Sequence, residues 1–147
     1  MNINPLVQEH LEALLALYKH LHDSDLPMPT QSVIHQVWDE ILANPRMRVF
    51  GGFVEGQLVT SCVLGITPNL TRACKPYGVI ENVVTHFEHR RKGYGRLLLQ
   101  HTLNYAWNND CYKVMLLTGR INESTFHFYE SAGFDRKGKQ AFVAKPV

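Results

Sequence analysis

The chain has 147 residues, 45% of them hydrophobic and 19% charged, and a formal net charge of +2. That length suits one domain, and that balance suits a folded globular chain and not a disordered one. The charge is too small to imply a nucleic-acid partner, and no apolar run approaches the ~20 residues of a membrane span.

Met1 to Pro5 carries neither a basic n-region nor an apolar h-region, which argues against secretion. Cys62, Cys74 and Cys111 are an odd number without C-x-x-C spacing and read as reduced, mostly buried thiols of a cytoplasmic protein. The sequons at Asn69 and Asn122 then carry no meaning for glycosylation.

In chain order, Met1 to Leu6 fits a short strand, and Pro5 suits a sheet edge or a helix start equally well. Leu11, Leu14, Leu15, Tyr18 and Leu21 recur at helical spacing and predict a helix near 8–21. After a breaker at 22–29, Thr30 is an N-cap for a second helix with Val33, Val37, Trp38 and Ile41 on one face, stopping near Asn44-Pro45. Met47 to Val54 and Gln57 to Ile66 are strands joined by a Glu55-Gly56 turn. Tyr77 to Thr85 is a strand. A helix near 94–108 buries Leu99, Leu103, Ala106 and Trp107, and Tyr112 to Thr118 is the next strand. Glu123 to Ala132 is a short helix closed by Gly133 at C′, and Ala141 to Val147 is a last strand. An early hairpin followed by a strand–helix–strand unit predicts a mixed sheet in a single α/β domain over 1–147.

The segment Arg90-Arg91-Lys92-Gly93-Tyr94-Gly95 links an apolar strand to a helix start. Glycines let backbone N–H groups approach an anion, and the helix start adds unpaired donors and a positive dipole end. Arg90, Arg91, Lys92 and Arg96 supply full charges within 89–96, as one anionic ligand needs. The segment is a pyrophosphate cradle. It is neither a dinucleotide fingerprint, which would need glycine at Leu98, nor a P-loop, because Lys92 precedes its glycine.

Arg90-x-x-Gly93-x-Gly95 resembles the R/Q-x-x-G-x-G/A signature of the GNAT superfamily of acetyl-CoA-dependent N-acetyltransferases. Asn122 to Phe134 resembles that family's closing motif N-x-x-A-x-x-F-Y-x-x-x-G-F, departing only at Thr125. The resemblance covers roughly Phe50 to Phe134. It implies a GNAT-like fold, a mixed central sheet flanked by helices with a splayed strand pair holding acetyl-CoA. It also implies that Val83, Val84 and Thr85 offer backbone groups to the pantetheine and thioester. Arg90, Arg91, Lys92, Gly93, Tyr94, Gly95 and Arg96 would hold the pyrophosphate, and Asn122 would touch the pantetheine arm.

By the same resemblance Tyr129 is the acid for the departing thiolate. Glu81, a lone carboxylate in an apolar run, is the candidate base, with its pKa raised by burial; it could instead anchor the acceptor amine. His86, His89 and His127 are rival bases, and His86-x-x-His89 lacks the further ligands of a metal site, so no metal is expected. No cysteine is placed for an acyl-enzyme, so the amine attacks directly in a ternary complex.

The first two helices line the acceptor side in this superfamily, which points to Tyr18, His22, Asp23 and Asp25. Ile80-Glu81-Asn82, Cys111-Tyr112-Lys113 and Phe128-Tyr129 are similar to glucosamine-phosphate N-acetyltransferases. Leu117 to Arg120 stands where those enzymes carry a shorter acidic segment, so the acceptor stays open: a small-molecule amine first, a peptide amine next. A non-catalytic acyl-CoA-binding module is the alternative from another class. Exposed sheet edges and the final strand make room for a homodimer.

Overall fold

The computed structural model describes residues 1–22 and 24–146. Five strands form one sheet in sequence order: β1 (Asn2–Pro5), β2 (Met47–Val54), β3 (Gln57–Thr67), β4 (Tyr77–Thr85) and β5 (Val114–Leu116). The first three pairings are antiparallel and β4–β5 is parallel, which makes the sheet mixed, as expected. Glu55 and Gly56 take left-handed backbone (φ 50° and 81°), the twist a two-residue hairpin loop requires.

Helices cover both faces. The helix α1 (Leu11–Tyr18) and α2 (Gln31–Ala43) cover one, with Leu11, Leu14, Leu17, Ile34 and Trp38 against Val49, Val63 and Val84. The helix α3 (Tyr94–Asn108) and α4 (Glu123–Ser131) cover the other, with Leu98, Leu99 and Ala106 against Phe50, Cys62, Leu64 and Ile80. Neighbouring residues such as Val49 and Phe50 thus serve opposite cores, as strand alternation demands.

Four expectations need correction. The buried face of α2 centres on Ile34 and Trp38, while Val33 and Val37 are 44% and 47% exposed. Trp107 is 46% exposed, and its predicted place in the core belongs to Leu98 and Thr102. A 3₁₀ turn over Gln8–His10 precedes α1, which closes at Tyr18. Ala141 to Pro146 form no strand, Phe142 is 92% exposed, and Val147 lies outside the described residues. A strand needs a partner as well as a pattern, and β5 offers an edge only three residues long.

Candidate active site

The β4–β5 ladder runs Gly78↔Val114, Val79↔Met115, Ile80↔Leu116 and stops. Strand β4 continues through Thr85 on the ladder with β3 alone. From Glu81 onward its β5-facing edge has no strand beside it, and the two strands open as a wedge. A bulge marks the same place: Ser61 pairs with Val84 and Val63 with Glu81, leaving Asn82 and Val83 opposite Cys62. Asn82 absorbs the extra residue at φ 53°, a left-handed conformation that asparagine tolerates. The bulge reverses side-chain parity. Ile80 faces the α3 core, whereas Val84, four residues on, faces α1.

The chain then enters the glycine turn. Arg91 (φ 61°) and Gly93 (φ 81°) are both left-handed, an interleaving that curls backbone N–H groups toward one side. The first bond inside α3 runs from Leu97 N–H to the Gly93 carbonyl at 3.0 Å. The N–H groups of Tyr94, Gly95 and Arg96 are the unpaired donors of its first turn. Gly95 is buried, and a Cβ there would lie 3.1 Å from two ring carbons of Phe128 and 3.2 Å from Thr85 Oγ1. Glycine lets the helix start sit this close to β4 and α4 without displacing the Phe128 ring or the Thr85 hydroxyl, which a methyl group would press upon.

Tyr129 is held by the end of its own helix. Gly133 (φ 106°) lets its N–H reach the Glu130 carbonyl (3.0 Å) and Phe134 N–H reach the Tyr129 carbonyl (3.1 Å). These are the two bonds of a Schellman closure, and its hydrophobic contact is the edge-on pair Tyr129–Phe134 (6.2 Å). The F-Y-x-x-x-G-F pattern is therefore a device for fixing one tyrosine. Burial pushes the Tyr129 phenol up from its ordinary pKa. Arg120 pulls it down, Glu81 pushes up, the nearby Thr118 side chain pulls down, and Cys62 pushes up. The phenol stays protonated near neutral pH.

Wedge, turn and tyrosine open on one cleft of about 920 Å³. Of the residues singled out in the sequence, it is lined by Glu81, Val83, Val84, Thr85, Arg90, Arg91, Gly93, Tyr94, Gly95, Arg96 and Tyr129. Lys92 is exposed and does not line it. Asn122 does not line it either: its Oδ1 accepts Thr125 N–H at 2.9 Å and caps α4. Glu81 lines the cleft but is exposed, so the burial invoked to tune it is absent; two polar residues on the open wedge replace one carboxylate in an apolar run. His89 and His127 line the cleft, while His86 Nδ1 accepts Glu88 N–H at 3.3 Å. On the acceptor side His22 lines the cleft, Tyr18 lies near Asn82 of the bulge, whose side chain partly offsets the upward push of burial on its phenol, and Asp25 Oδ1 accepts Leu26 N–H. Asp23 lies outside the described residues.

A family model for the acetyltransferase (GNAT) family matches residues 11–134. The chain belongs to that family. A candidate acetyltransferase of Agrobacterium tumefaciens str. C58, known as a solved structure, superposes with a TM-score of 0.92 at 40% identity, covering 99% of this chain and 100% of that one. A glucosamine 6-phosphate N-acetyltransferase of Trypanosoma brucei brucei is 33% identical over 93 residues, which span 63% of this chain and 61% of the relative. One from Schizosaccharomyces pombe is 36% identical over 61 residues, 42% of this chain and 52% of the relative. The matched stretch thus spans only half to three-fifths of those two curated relatives. Among the described residues no helix is long and apolar enough to cross a membrane.

Sequence reasoning missed several residues of this GNAT cleft. Asn82 had a readable signal, because adjacent Glu81 and Asn82 break the alternation of Val79 to Val84 and a bulge accommodates that break. Leu117, Thr118, Gly119 and Arg120 line the wall after β5, and His20 and Leu21 lie across from them. The sequence marked Leu117 to Arg120 only as a departure from similar enzymes and Leu21 only as a helix-face residue, since α1 and β5 are brought together only by the fold.

Proposed function

We propose that this GNAT protein is an acetyl-CoA-dependent N-acetyltransferase that moves the acetyl group to a primary amine on a small molecule. The observation that carries the reading is the opening of the wedge directly onto the glycine turn, with Tyr129 on the facing wall. N–H groups of the α3 first turn, with Arg91 and Arg96, hold the pyrophosphate. Freed backbone groups of Val83, Val84 and Thr85 hold the pantetheine and polarise the thioester carbonyl.

The amine nitrogen attacks the thioester carbon, the C–S bond breaks, and Tyr129 delivers its proton to the departing sulfur. A cationic amine first loses one proton to Glu81, directly or through a water, and Glu81 passes it to solvent; the second proton, lost from nitrogen as the amide forms, replaces through water the one Tyr129 gave to sulfur. An exposed carboxylate on the wedge suits attraction of a cationic amine as well as proton removal. The similarity to glucosamine 6-phosphate N-acetyltransferases favours an amino sugar or similar polar amine over a peptide. Reduced thiols fit work in the cytoplasm.

A thermal-shift titration tests the reading, with acetyl-CoA and CoA beside ATP and NAD. Ligand at about a hundred times its Kd stabilises by about 2.7 kcal/mol, several degrees for a chain of this size. A shift with both CoA species and not with NAD leads to an amine screen read by thiol release. No shift with either CoA species refutes the proposal. A shift without turnover on any amine, glucosamine 6-phosphate included, turns it toward the non-catalytic acyl-CoA-binding module.

A further inference from the structure

The residues just after α1 are tied down from both arms of the wedge. Arg90, in the turn after β4, spends two guanidinium nitrogens on carbonyls. Its Nε donates to Thr85 O at 3.1 Å and its Nη2 to His20 O at 3.0 Å. Arg120, in the loop after β5, donates through Nη2 to Leu21 O at 3.1 Å. His20 and Leu21 are adjacent, so one short segment bridges the opening, with one arginine from each side. All four residues line the cleft.

The chemistry of the contact is that of a helix end. His20 and Leu21 follow directly on the C-cap Lys19, so their carbonyls lie outside the helix ladder and beside the negative pole of α1, where guanidinium groups are favoured. The bridge is also docked through rings: His20 lies 4.2 Å from His86 and 5.3 Å from Phe87 by ring centroids. Arg90 keeps donors to spare, because a guanidinium carries five N–H groups and these contacts use two. It can hold the His20 carbonyl and face an anion in the cleft together. Arg91 and Arg96, both cleft-lining, surround it with like charge that a bound polyphosphate would neutralise.

We infer that His20–Leu21 is a strap across the wedge, held by Arg90 and Arg120 as positioning residues, and that phosphates bound at the glycine turn tighten it through Arg90. The second half rests on the reading that CoA phosphates sit there. The strap forms the wall opposite Leu117 to Arg120, so tightening it assembles the acceptor side only once the cosubstrate is in place. Linkage makes the effect mutual: whatever orders the strap also favours cosubstrate binding.

Amide hydrogen exchange on the intact chain reads the strap directly, through His20 and Leu21 N–H, which donate to Leu17 O (3.0 Å) and Tyr18 O (2.9 Å). Without ligand, Arg120→Gln is expected to exchange these amides several-fold faster than wild type, with the β2–β3 amides unchanged. Saturating CoA is expected to slow them several-fold in wild type. In Arg90→Gln, with CoA added to the same occupancy, that slowing is expected to vanish. Wild-type strap rates in Arg120→Gln would overturn the strap. Full slowing by CoA in Arg90→Gln, or none in CoA-saturated wild type, would overturn the coupling. CoA that binds no form of the protein overturns the coupling and the functional reading together, and the ligand-free Arg120 comparison still decides the strap.

Discussion

The two glycines at the start of α3 serve different needs, and substitution separates them. At Gly93 a Cβ would meet nothing within 4 Å, so Gly93→Ala suffers only from the left-handed backbone (φ 81°). That costs about 1–2 kcal/mol, partly offset by about 0.4–1 kcal/mol from a stiffer unfolded chain. At Gly95 the backbone is ordinary and space is the constraint, with Phe128 carbons at 3.1 Å and Thr85 Oγ1 at 3.2 Å from the new methyl. Overpacking costs about 1–3 kcal/mol, set against up to about 1 kcal/mol of helix propensity. Gly95→Ala should therefore lose about 1–2 kcal/mol, or roughly 3–6 °C in Tm. Second variants make the argument sharp. Gly93→Asn should recover part of the Gly93→Ala loss, since asparagine tolerates left-handed backbone, whereas Gly95→Asn should be worse than Gly95→Ala. Gly95→Ala combined with Phe128→Leu should be more stable than the sum of the single losses predicts. Thermal melts of these variants, the Phe128→Leu single variant and the wild type provide the assay. Strictly additive losses at 95 and 128, or an unchanged Tm in Gly95→Ala, would refute the space argument.

Tyr129→Phe should lower kcat about 10²- to 10⁴-fold with little change in the KM for acetyl-CoA, and initial-rate kinetics on an accepted amine would show a mere packing role if kcat held. Asn122→Ala should cost about 1 kcal/mol through the lost α4 cap, while Asn122→Asp keeps the cap and the Tm; equal losses in both would mean the amide matters for something else. Two buried groups set an alkaline limit on stability: Tyr18, pushed up from 10.0 to about 12, and Cys62, from 9.0 to about 12, each by burial first. A raised folded pKa means stability is complete below the unfolded value and falls as pH climbs toward the folded one. Urea midpoints should thus decline from about pH 9 onward, with Cys62→Ala flattening the early part and Tyr18→Phe the part above about pH 10. Parallel curves for all three proteins would contradict the assignment.

What could be read from the sequence was whatever is written in near neighbours. The β2–β3 hairpin, the β4–turn–α3 unit and the closure of α4 at Gly133 each occupy one continuous stretch, and local spacing located them to within a residue or two. The two motifs could be read for the same reason: Gly93 answers a local backbone demand, and the Tyr129–Phe134 contact spans five positions. The α2 face was misjudged because Val33 and Val37 are as apolar as Ile34, and only the sheet decides which stripe is covered. The tail from Ala141 failed because a strand-like pattern says nothing of an available partner. Glu81 is the most instructive case. Its setting in an apolar run implied burial, but the extra residue at Asn82 and the end of the β5 ladder at Leu116 put it on an open edge. Both causes lie in pairing between distant strands. The same holds for the strap, whose arginines stand 70 and 99 residues from the carbonyls they hold. Chemistry in this cleft depends on where strands stop pairing, and unpaired edges leave little trace in a sequence beyond a broken alternation.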